Sequence, residues 1–227
     1  MHEKLKAKIK AKKNAERISF WFIRHGQSEG NALGDNCPVM HDTSLTAEGV
    51  KESEQIVEYL KRENVKVSDV YTSPQKRSYE TAEIISQAFN LPVKVKEGLR
   101  ERDWGNLQGR PWKEISDMLE EMPLQERYNF KPEGGESWKE MEKRIFDTLE
   151  EIAEENIEDE NVLIVMHRGG LRATLPMLAE AGITGHKDFS VQTGAISKFS
   201  FEKDNFNFVG FVPKILSFFA FLTSKIL

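Results

Sequence analysis

The stretch that most constrains this chain is residues 18–31, ISFWFIRHGQSEGN, in which a continuously apolar run ends at a basic pair. β-branched and aromatic residues without polar alternation are typical of a strand that is buried on both faces of a sheet. Arg24 and His25 are therefore predicted to stand at the carboxyl end of a buried strand. Ligands bind at that end in open α/β sheets, so the pair is a candidate for a functional site.

Residues 161–170 repeat this pattern. NVLIVM predicts another buried strand, and His167 and Arg168 follow it, with two glycines next. A single histidine in such a place is often a core residue bonded to a backbone carbonyl. Two histidines with matching surroundings favour a shared site, provided that their strands are neighbours in one parallel sheet.

The length and composition of the chain favour one α/β domain with a tail at each end. With 227 residues, of which 39% are hydrophobic, it can bury one sizeable core but not two comfortable ones. Residues 18–212 are predicted to be the domain, with a basic extension at 1–17 and an apolar amphipathic helix at 213–227. The apolar runs within 195–212 predict a hairpin at the sheet edge.

Charge and cysteine content narrow the classes of partner. Residues 1–17 carry +5 and the rest of the chain carries −10, and so acidic a body argues against nucleic acid as the main partner. Cys37 is the single cysteine, which favours a reducing compartment, and no signal-peptide pattern opens the chain. We therefore expect a cytoplasmic protein.

The two tails leave two interpretations open. The basic arm is either a solvated extension or a contact for an anionic lipid surface, and the apolar helix either packs on the domain or a partner chain or lies on a membrane. The helix is too short to span a bilayer. Peripheral membrane association and a homo-oligomer are both consistent with this pattern.

Three helix starts can be predicted from local capping rules. Thr46 is expected to cap a helix that runs to about Glu63. Ser73, followed by Pro74, is interpreted as the cap of a helix that runs to about Phe89. A capping box, S-x-x-E at 137–140, predicts a further helix start.

Arg77 and Glu101 complete the set of candidates, although each alone would usually be a surface residue. Together with Arg24, His25 and His167 they suit a compact dianion, because arginine binds phosphate oxygens bidentately. A neutral imidazole is a competent nucleophile near neutral pH. The leaving alkoxide needs a proton, for which Glu101 is the candidate. These residue types therefore indicate phosphoryl transfer.

No metal or other cofactor is expected from the sequence. Paired histidines also suit a metal centre, but the chain has no His-x-His, no His-Glu-x-x-His and no Asp-rich ligand cluster. The predicted partner is a small-molecule phosphate ester.

Five sequence blocks occur in an order that closely resembles the histidine phosphatase superfamily, which includes cofactor-dependent phosphoglycerate mutases and related phosphatases. They are RHGQSEGN at 24–31, SPQKR at 73–77, LRERDWGNLQG at 99–109, EGGES at 133–137 and MHRGG at 166–170. The resemblance covers about residues 18–212. It implies a three-layer α/β/α sandwich with a mostly parallel central sheet.

The resemblance also implies a role for each matching residue. His25 would be phosphorylated, Arg24, Arg77 and His167 would hold the phosphoryl group, and Glu101 would be the proton donor and then the base that activates water. Asn31 and Ser28 would shape the phosphate pocket.

Arg168 departs from the family pattern, in which glycine directly follows the late histidine. It either adds an anion contact or obstructs the pocket. Arg168, Gly169 and Arg102 are taken as substrate-binding candidates, since an arginine at the mouth of the pocket would favour an acidic substrate.

The spacing of the blocks favours a phosphatase over a mutase. The mutases carry a long insertion after the glutamate block, whereas the stretch from Arg110 to Glu133 is short, so water should reach the phosphohistidine. We therefore predict a phosphomonoester phosphatase that acts on a small phosphorylated metabolite. The alternatives are a cofactor-dependent phosphoglycerate mutase and a weakly catalytic scaffold module that uses its tails.

Overall fold

A six-stranded sheet with helices on both faces forms the body of the protein. The computed structural model describes residues 3–5, 7, 18–156, 161–187, 189, 192–202 and 205–212. Within these residues the strands are β1 (Ile18–Arg24), β2 (Val67–Thr72), β3 (Val93–Val95), β4 (Asn161–Met166), β5 (Ile196–Glu202) and β6 (Asn205–Val212).

The strand order is β3-β2-β4-β1-β5-β6, and the first four of these strands run parallel to one another. β5 pairs antiparallel with β1, and β6 pairs antiparallel with β5. The predicted mostly parallel sheet with an antiparallel edge hairpin is therefore confirmed. β1 and β4 are neighbours, with Arg24 opposite Met166, so the residues that follow them, His25 and His167, emerge side by side.

Helices cover the two faces of the sheet and make the predicted three layers. The helices are α1 (Glu29–Ala32), α2 (Ala47–Arg62), α3 (Lys76–Phe89), α4 (Trp112–Glu120), α5 (Leu124–Asn129), α6 (Trp138–Glu155) and α7 (Arg168–Leu178). Short 3₁₀ helices lie at Gly34–Asn36, Glu97–Leu99, Gly105–Leu107 and Ile183–Lys187.

The apolar run of β1 is explained by burial on both sides. Phe20 and Phe22 pack in the cluster that α6 and α7 cover, and Trp21 and Ile23 pack in the cluster that α2 and α3 cover. Successive side chains of a strand point to opposite faces, so a central strand between two helical layers has no polar face.

Two of the three predicted helix caps are confirmed. The Thr46 hydroxyl accepts from the Gly49 amide at 3.1 Å, and Ser137 forms the predicted capping box at the start of α6. The prediction for Ser73 is wrong, because α3 begins at Lys76 and Gln75 is its N-cap residue. The Ser73 hydroxyl instead binds the His167 ring.

The tails lie mostly outside the described residues. Residues 3–5 and 7 are helical, and the Leu5 side chain is 1% exposed and belongs to the core cluster on the α6 and α7 side. The apolar segment 213–227 is not among the described residues. In the part of the chain that the structure describes, none of the helices has the length and apolar character needed to cross a membrane.

Glu142 on α6 is a buried carboxyl that makes stability depend on pH. It is 1% exposed, its Oε1 accepts from the Tyr128 hydroxyl at 3.2 Å, and its Oε2 has no partner among the described residues. Burial raises the pKa of Glu142 to about 7 from its ordinary 4.5. Between these two values the folded state holds a proton that the unfolded state has lost, so the contribution to stability falls as the pH rises.

Glu142→Gln is expected to raise the free energy of unfolding by about 1–3 kcal/mol at pH 8 and to change it little at pH 4.5, because glutamine keeps the neutral acceptor for Tyr128 and never ionises. Denaturant unfolding at both pH values measures the difference. Glu58→Gln, at an exposed position of α2, is the control and should be neutral at both. An equal effect of Glu142→Gln at the two pH values would contradict the assignment.

Candidate active site

His25 follows β1, and both of its ring nitrogens have partners. Nδ1 donates to the Gly26 carbonyl at 2.7 Å, and the Arg77 Nε donates to Nε2 at 3.1 Å. A nitrogen that accepts from a guanidinium carries no proton, so the ring is neutral with its proton on Nδ1. Burial, followed by the charges of Arg77 and Arg24, holds the pKa of His25 well below its ordinary value. The Nε2 lone pair is therefore available for attack near neutral pH.

His167 lies next to His25, with the ring centroids 5.2 Å apart. Its Nε2 is 2.6 Å from the Ser73 hydroxyl oxygen, and its buried Nδ1 has no partner among the described residues. Burial, followed by the charge of Arg77, also lowers the pKa of His167. If Ser73 donates to Nε2, Nδ1 carries the proton and is a buried donor that a ligand oxygen would satisfy.

The turn after His25 is fixed by residues that the sequence analysis missed. The Gly26 amide donates to the Thr81 hydroxyl at 3.0 Å, and the Gln27 amide donates to the Glu52 carboxylate at 2.8 Å. A Cβ on Gly26 would lie 2.3 Å from the Gly49 carbonyl oxygen, so the close approach of the turn to α2 requires glycine. These contacts hold the His25 backbone in place.

Arg77 and Arg24 add positive charge beside the two imidazoles. Burial lowers the pKa of Arg77, while the charges of Glu101 and Asp42 raise it. Asp42 Oδ1 lies 3.6 Å from the Arg77 Nη1. Burial and then repulsion by Arg168 lower the pKa of Arg24 to about 10. Both arginines remain cations at neutral pH, and together they suit a dianion.

Glu101 reaches this site from the loop after β3. Its Oε1 accepts from the Arg102 amide at 2.9 Å and its Oε2 accepts from the Gly169 amide at 3.0 Å. The Glu101 amide donates to Gln75 Oε1 at 2.9 Å. A Cβ on Gly169 would lie 2.2 Å from the Glu101 Oε1, so glycine lets the carboxylate sit at the first turn of α7, beside His167.

Ser28 and Asn31 form a reciprocal cap at the start of α1. The Asn31 amide donates to the Ser28 hydroxyl at 3.2 Å, and the Ser28 amide donates to the Asn31 Oδ1 at 3.1 Å. The Ser28 hydroxyl also donates to that Oδ1 at 3.1 Å. The Asn31 Nδ2 is then the donor left for a ligand. Their contact with a phosphate stays a prediction.

The structure does not bring the Arg102 guanidinium into the anion site. It donates to the Phe130 carbonyl at 2.6 Å and the Glu136 carbonyl at 3.0 Å, and it stacks 4.2 Å from the Trp104 ring centroid. Burial lowers the pKa of Arg102 to about 10. Arg102 was expected to contact the substrate. Its guanidinium instead fastens the Glu101 loop to residues 130–136.

A second arginine, which the sequence analysis did not single out, braces the same loop. Arg144 on α6 donates to the carbonyls of Gly98 at 2.7 Å and Arg100 at 3.1 Å, and its Nε donates to the Glu136 Oε2 at 3.1 Å. The Asp103 amide donates to the Glu136 Oε1 at 3.0 Å. Glu136 lies in the EGGES block, so the sequence did contain a signal that this segment belongs to the site.

The sequence-predicted group of Arg24, His25, Arg77, Glu101 and His167 therefore meets at one end of the sheet. Two neutral imidazoles and two guanidiniums lie together, and one carboxylate stands beside them. Among the residues that the structure describes, no group of three or more His, Cys, Asp or Glu side chains could hold a metal ion. The arrangement can bind a phosphoryl group and accept it on a nitrogen.

Comparisons with known proteins agree with this arrangement. The family model described as "Histidine phosphatase superfamily (branch 1)" matches residues 20–212. The metal-independent phosphoserine phosphatase of Arabidopsis thaliana is 32% identical over 180 residues, which are 77% of this chain and 74% of that protein.

Solved structures show the same fold. YhfR of Bacillus stearothermophilus matches with a TM-score of 0.71 and 22% identity, over 85% of this chain and 95% of its own. The phosphoserine phosphatase of Entamoeba histolytica, in complex with 3-phosphoglyceric acid, matches with a TM-score of 0.70 and 22% identity, over 86% of this chain and 96% of its own.

Proposed function

Because the chain belongs to the histidine phosphatase superfamily, branch 1, we propose that it hydrolyses a small phosphomonoester through a phosphohistidine at His25. The prediction of a phosphomonoester phosphatase is confirmed by the family match and the phosphatase relatives, which favour it over a mutase or a scaffold module. The observation that carries the role of His25 is its neutral ring, whose Nε2 faces the Arg77 guanidinium.

In the first step the ester is bound as a dianion by Arg24, Arg77 and His167. The Arg77 Nε–H turns from the His25 Nε2 to a phosphate oxygen, which frees the lone pair. Nε2 then forms a bond to phosphorus as the bond from phosphorus to the ester oxygen breaks. The Glu101 carboxyl gives its proton to the leaving alkoxide.

In the second step water displaces the histidine. The Glu101 carboxylate takes a proton from the water as its oxygen attacks phosphorus, and the nitrogen–phosphorus bond breaks. Inorganic phosphate leaves, the His25 ring is neutral again, and Glu101 regains the proton it gave. The guanidinium and imidazole N–H groups stabilise the equatorial oxygens in both steps.

The other site residues act through these groups. Ser73 fixes the tautomer of His167, and Arg102 and Arg144 hold the loop that presents Glu101. Ser28 and Asn31 close the pocket at α1, and the Asn31 Nδ2 donates to the phosphate. Gly169 has no side chain, so the Glu101 carboxylate can lie against the first turn of α7.

Phosphate release from a panel of phosphomonoesters tests this function, with His25→Ala as the blank. The purified protein should release phosphate from phosphoserine, phosphosugars and nitrophenyl phosphate, equally with and without a chelator. No release from any ester would contradict the proposal. Interconversion of phosphoglycerates faster than phosphate release would instead indicate a mutase.

A further inference from the structure

Three arginines, Arg127, Arg168 and Arg172, form a cluster of interacting positive charges near the start of α7. Arg168 is the first residue of α7, and Arg172 lies four residues later on the same helical face. Arg127 lies on α5, and both α5 and α7 pack against α6. Arg168 and Arg127 are both close enough for their charges to lower the pKa of Arg172, after burial as the first cause.

This arginine cluster lies on the Glu101 side of the site. The Gly169 amide, between Arg168 and Arg172 in the sequence, donates to the Glu101 carboxylate at 3.0 Å. The charge of Glu101 also raises the pKa of Arg172, and the charge of Arg168 lowers that of Arg24. Glu101 is the proposed proton donor to the leaving group, so the cluster stands where the leaving group would lie.

No carboxylate forms an ion pair with this cluster in the part of the chain that the structure describes. Among the described residues, none of the three arginines lies within ion-pair distance of a carboxylate, although the chain as a whole carries −5. The Arg127 Nε is buried without a partner in that part of the chain, and its Nη2 donates to the Met122 carbonyl at 3.3 Å. Like charges four residues apart on a helix repel each other. An anion would relieve this repulsion and satisfy the buried donor.

We propose that Arg127, Arg168 and Arg172 form a second anion subsite, which binds a further carboxylate or phosphate on the leaving group of the substrate. This inference rests on the proposed function and narrows its substrate class to phosphorylated hydroxy acids and bisphosphates. A planar guanidinium fits either anion bidentately. Arg168 thereby adds an anion contact instead of obstructing the pocket.

A series of esters that differ in one group tests the subsite. Glycerol 3-phosphate has no second anion, 3-phosphoglycerate adds a carboxylate, and glycerol 1,3-bisphosphate adds a phosphate. The wild-type kcat/KM should be about tenfold or more higher for at least one of the anionic esters than for glycerol 3-phosphate, at fixed ionic strength. Arg172→Ala should reduce this ratio by about tenfold or more. Arg172→Lys, which keeps the charge, should retain part of it.

Two further variants keep the test decisive. Arg168→Ala changes an exposed side chain and should also reduce the ratio, even if Arg172→Ala fails to fold. Arg62→Ala, at an exposed position of α2, is the matched control and should leave the ratio unchanged. Preference for the carboxylate or for the second phosphate supports the subsite and identifies its anion. Equal kcat/KM for all three esters overturns the subsite, while phosphate release from nitrophenyl phosphate would still support the phosphatase.

Discussion

Replacing His25 by alanine is expected to lower kcat for phosphomonoesters by about 10⁴-fold or more, because the variant has no nitrogen that can take up the phosphoryl group. His167 is not expected to replace it, since its Nε2 is held by the Ser73 hydroxyl and its Nδ1 then carries a proton and has no free lone pair. Steady-state phosphate release measures the loss. The guanidiniums of Arg24 and Arg77 remain, so inorganic phosphate should still inhibit at a concentration within about tenfold of the wild-type value.

His41→Ala is the matched control for this variant. His41 is exposed, and its ring is expected to take no part in the reaction, so its replacement should change kcat by less than about twofold. Residual turnover of His25→Ala within about tenfold of wild type would contradict a nucleophilic role. Loss of phosphate binding would contradict the expectation that the two guanidiniums hold the anion without His25.

Replacing Glu101 by glutamine is expected to lower kcat/KM by a factor that depends on the leaving group of the substrate. An alkoxide leaves only when it is protonated, so kcat/KM for an alkyl phosphate should fall by about 10²–10⁴-fold. Nitrophenolate leaves without a proton, so kcat/KM for nitrophenyl phosphate should fall by no more than about tenfold. The kcat of Glu101→Gln for nitrophenyl phosphate should fall further than kcat/KM, because no base then activates water for the second step.

Glu97→Gln, at an exposed position of the same loop, is the control and should leave both substrates unaffected. Thermal unfolding of Glu101→Gln should be checked, since glutamine accepts less strongly from the Arg102 and Gly169 amides. An equal loss of kcat/KM for the alkyl and aryl esters would show that Glu101 is not the proton donor.

Much of the fold was predictable, because apolar runs indicate the strands and local caps indicate the helix starts. The end of β4 follows from a run of buried residues, and the capping boxes need only four consecutive residues. Leu5 was harder to place, because Leu5 and Ile9 are the only sizeable apolar residues in a lysine-rich arm and one pair is too little to define a buried face, yet the Leu5 side chain lies in the core.

The parts of the site that were not predicted depend on long-range bonds. A Ser-Pro pair suits a helix start, but the hydroxyl of Ser73 meets His167, 94 residues later in the chain. Arg102 was expected at the mouth of the pocket, where an arginine would favour an acidic substrate, yet its partners are the carbonyls of Phe130 and Glu136. Local capping rules and motif spacing do not predict such contacts, which form only when the helical layers pack against the sheet.

Direct detection of a phosphoenzyme tests the central claim most directly. Wild-type protein and Glu101→Gln would be mixed with nitrophenyl phosphate, quenched rapidly under alkaline conditions that preserve a nitrogen–phosphorus bond, and analysed by peptide mass spectrometry. We expect one phosphoryl group on the peptide that contains His25, acid-labile and more abundant in Glu101→Gln than in wild type. Phosphate on Ser73 or His167, or hydrolysis with no phosphorylated peptide at any time point, would contradict the account.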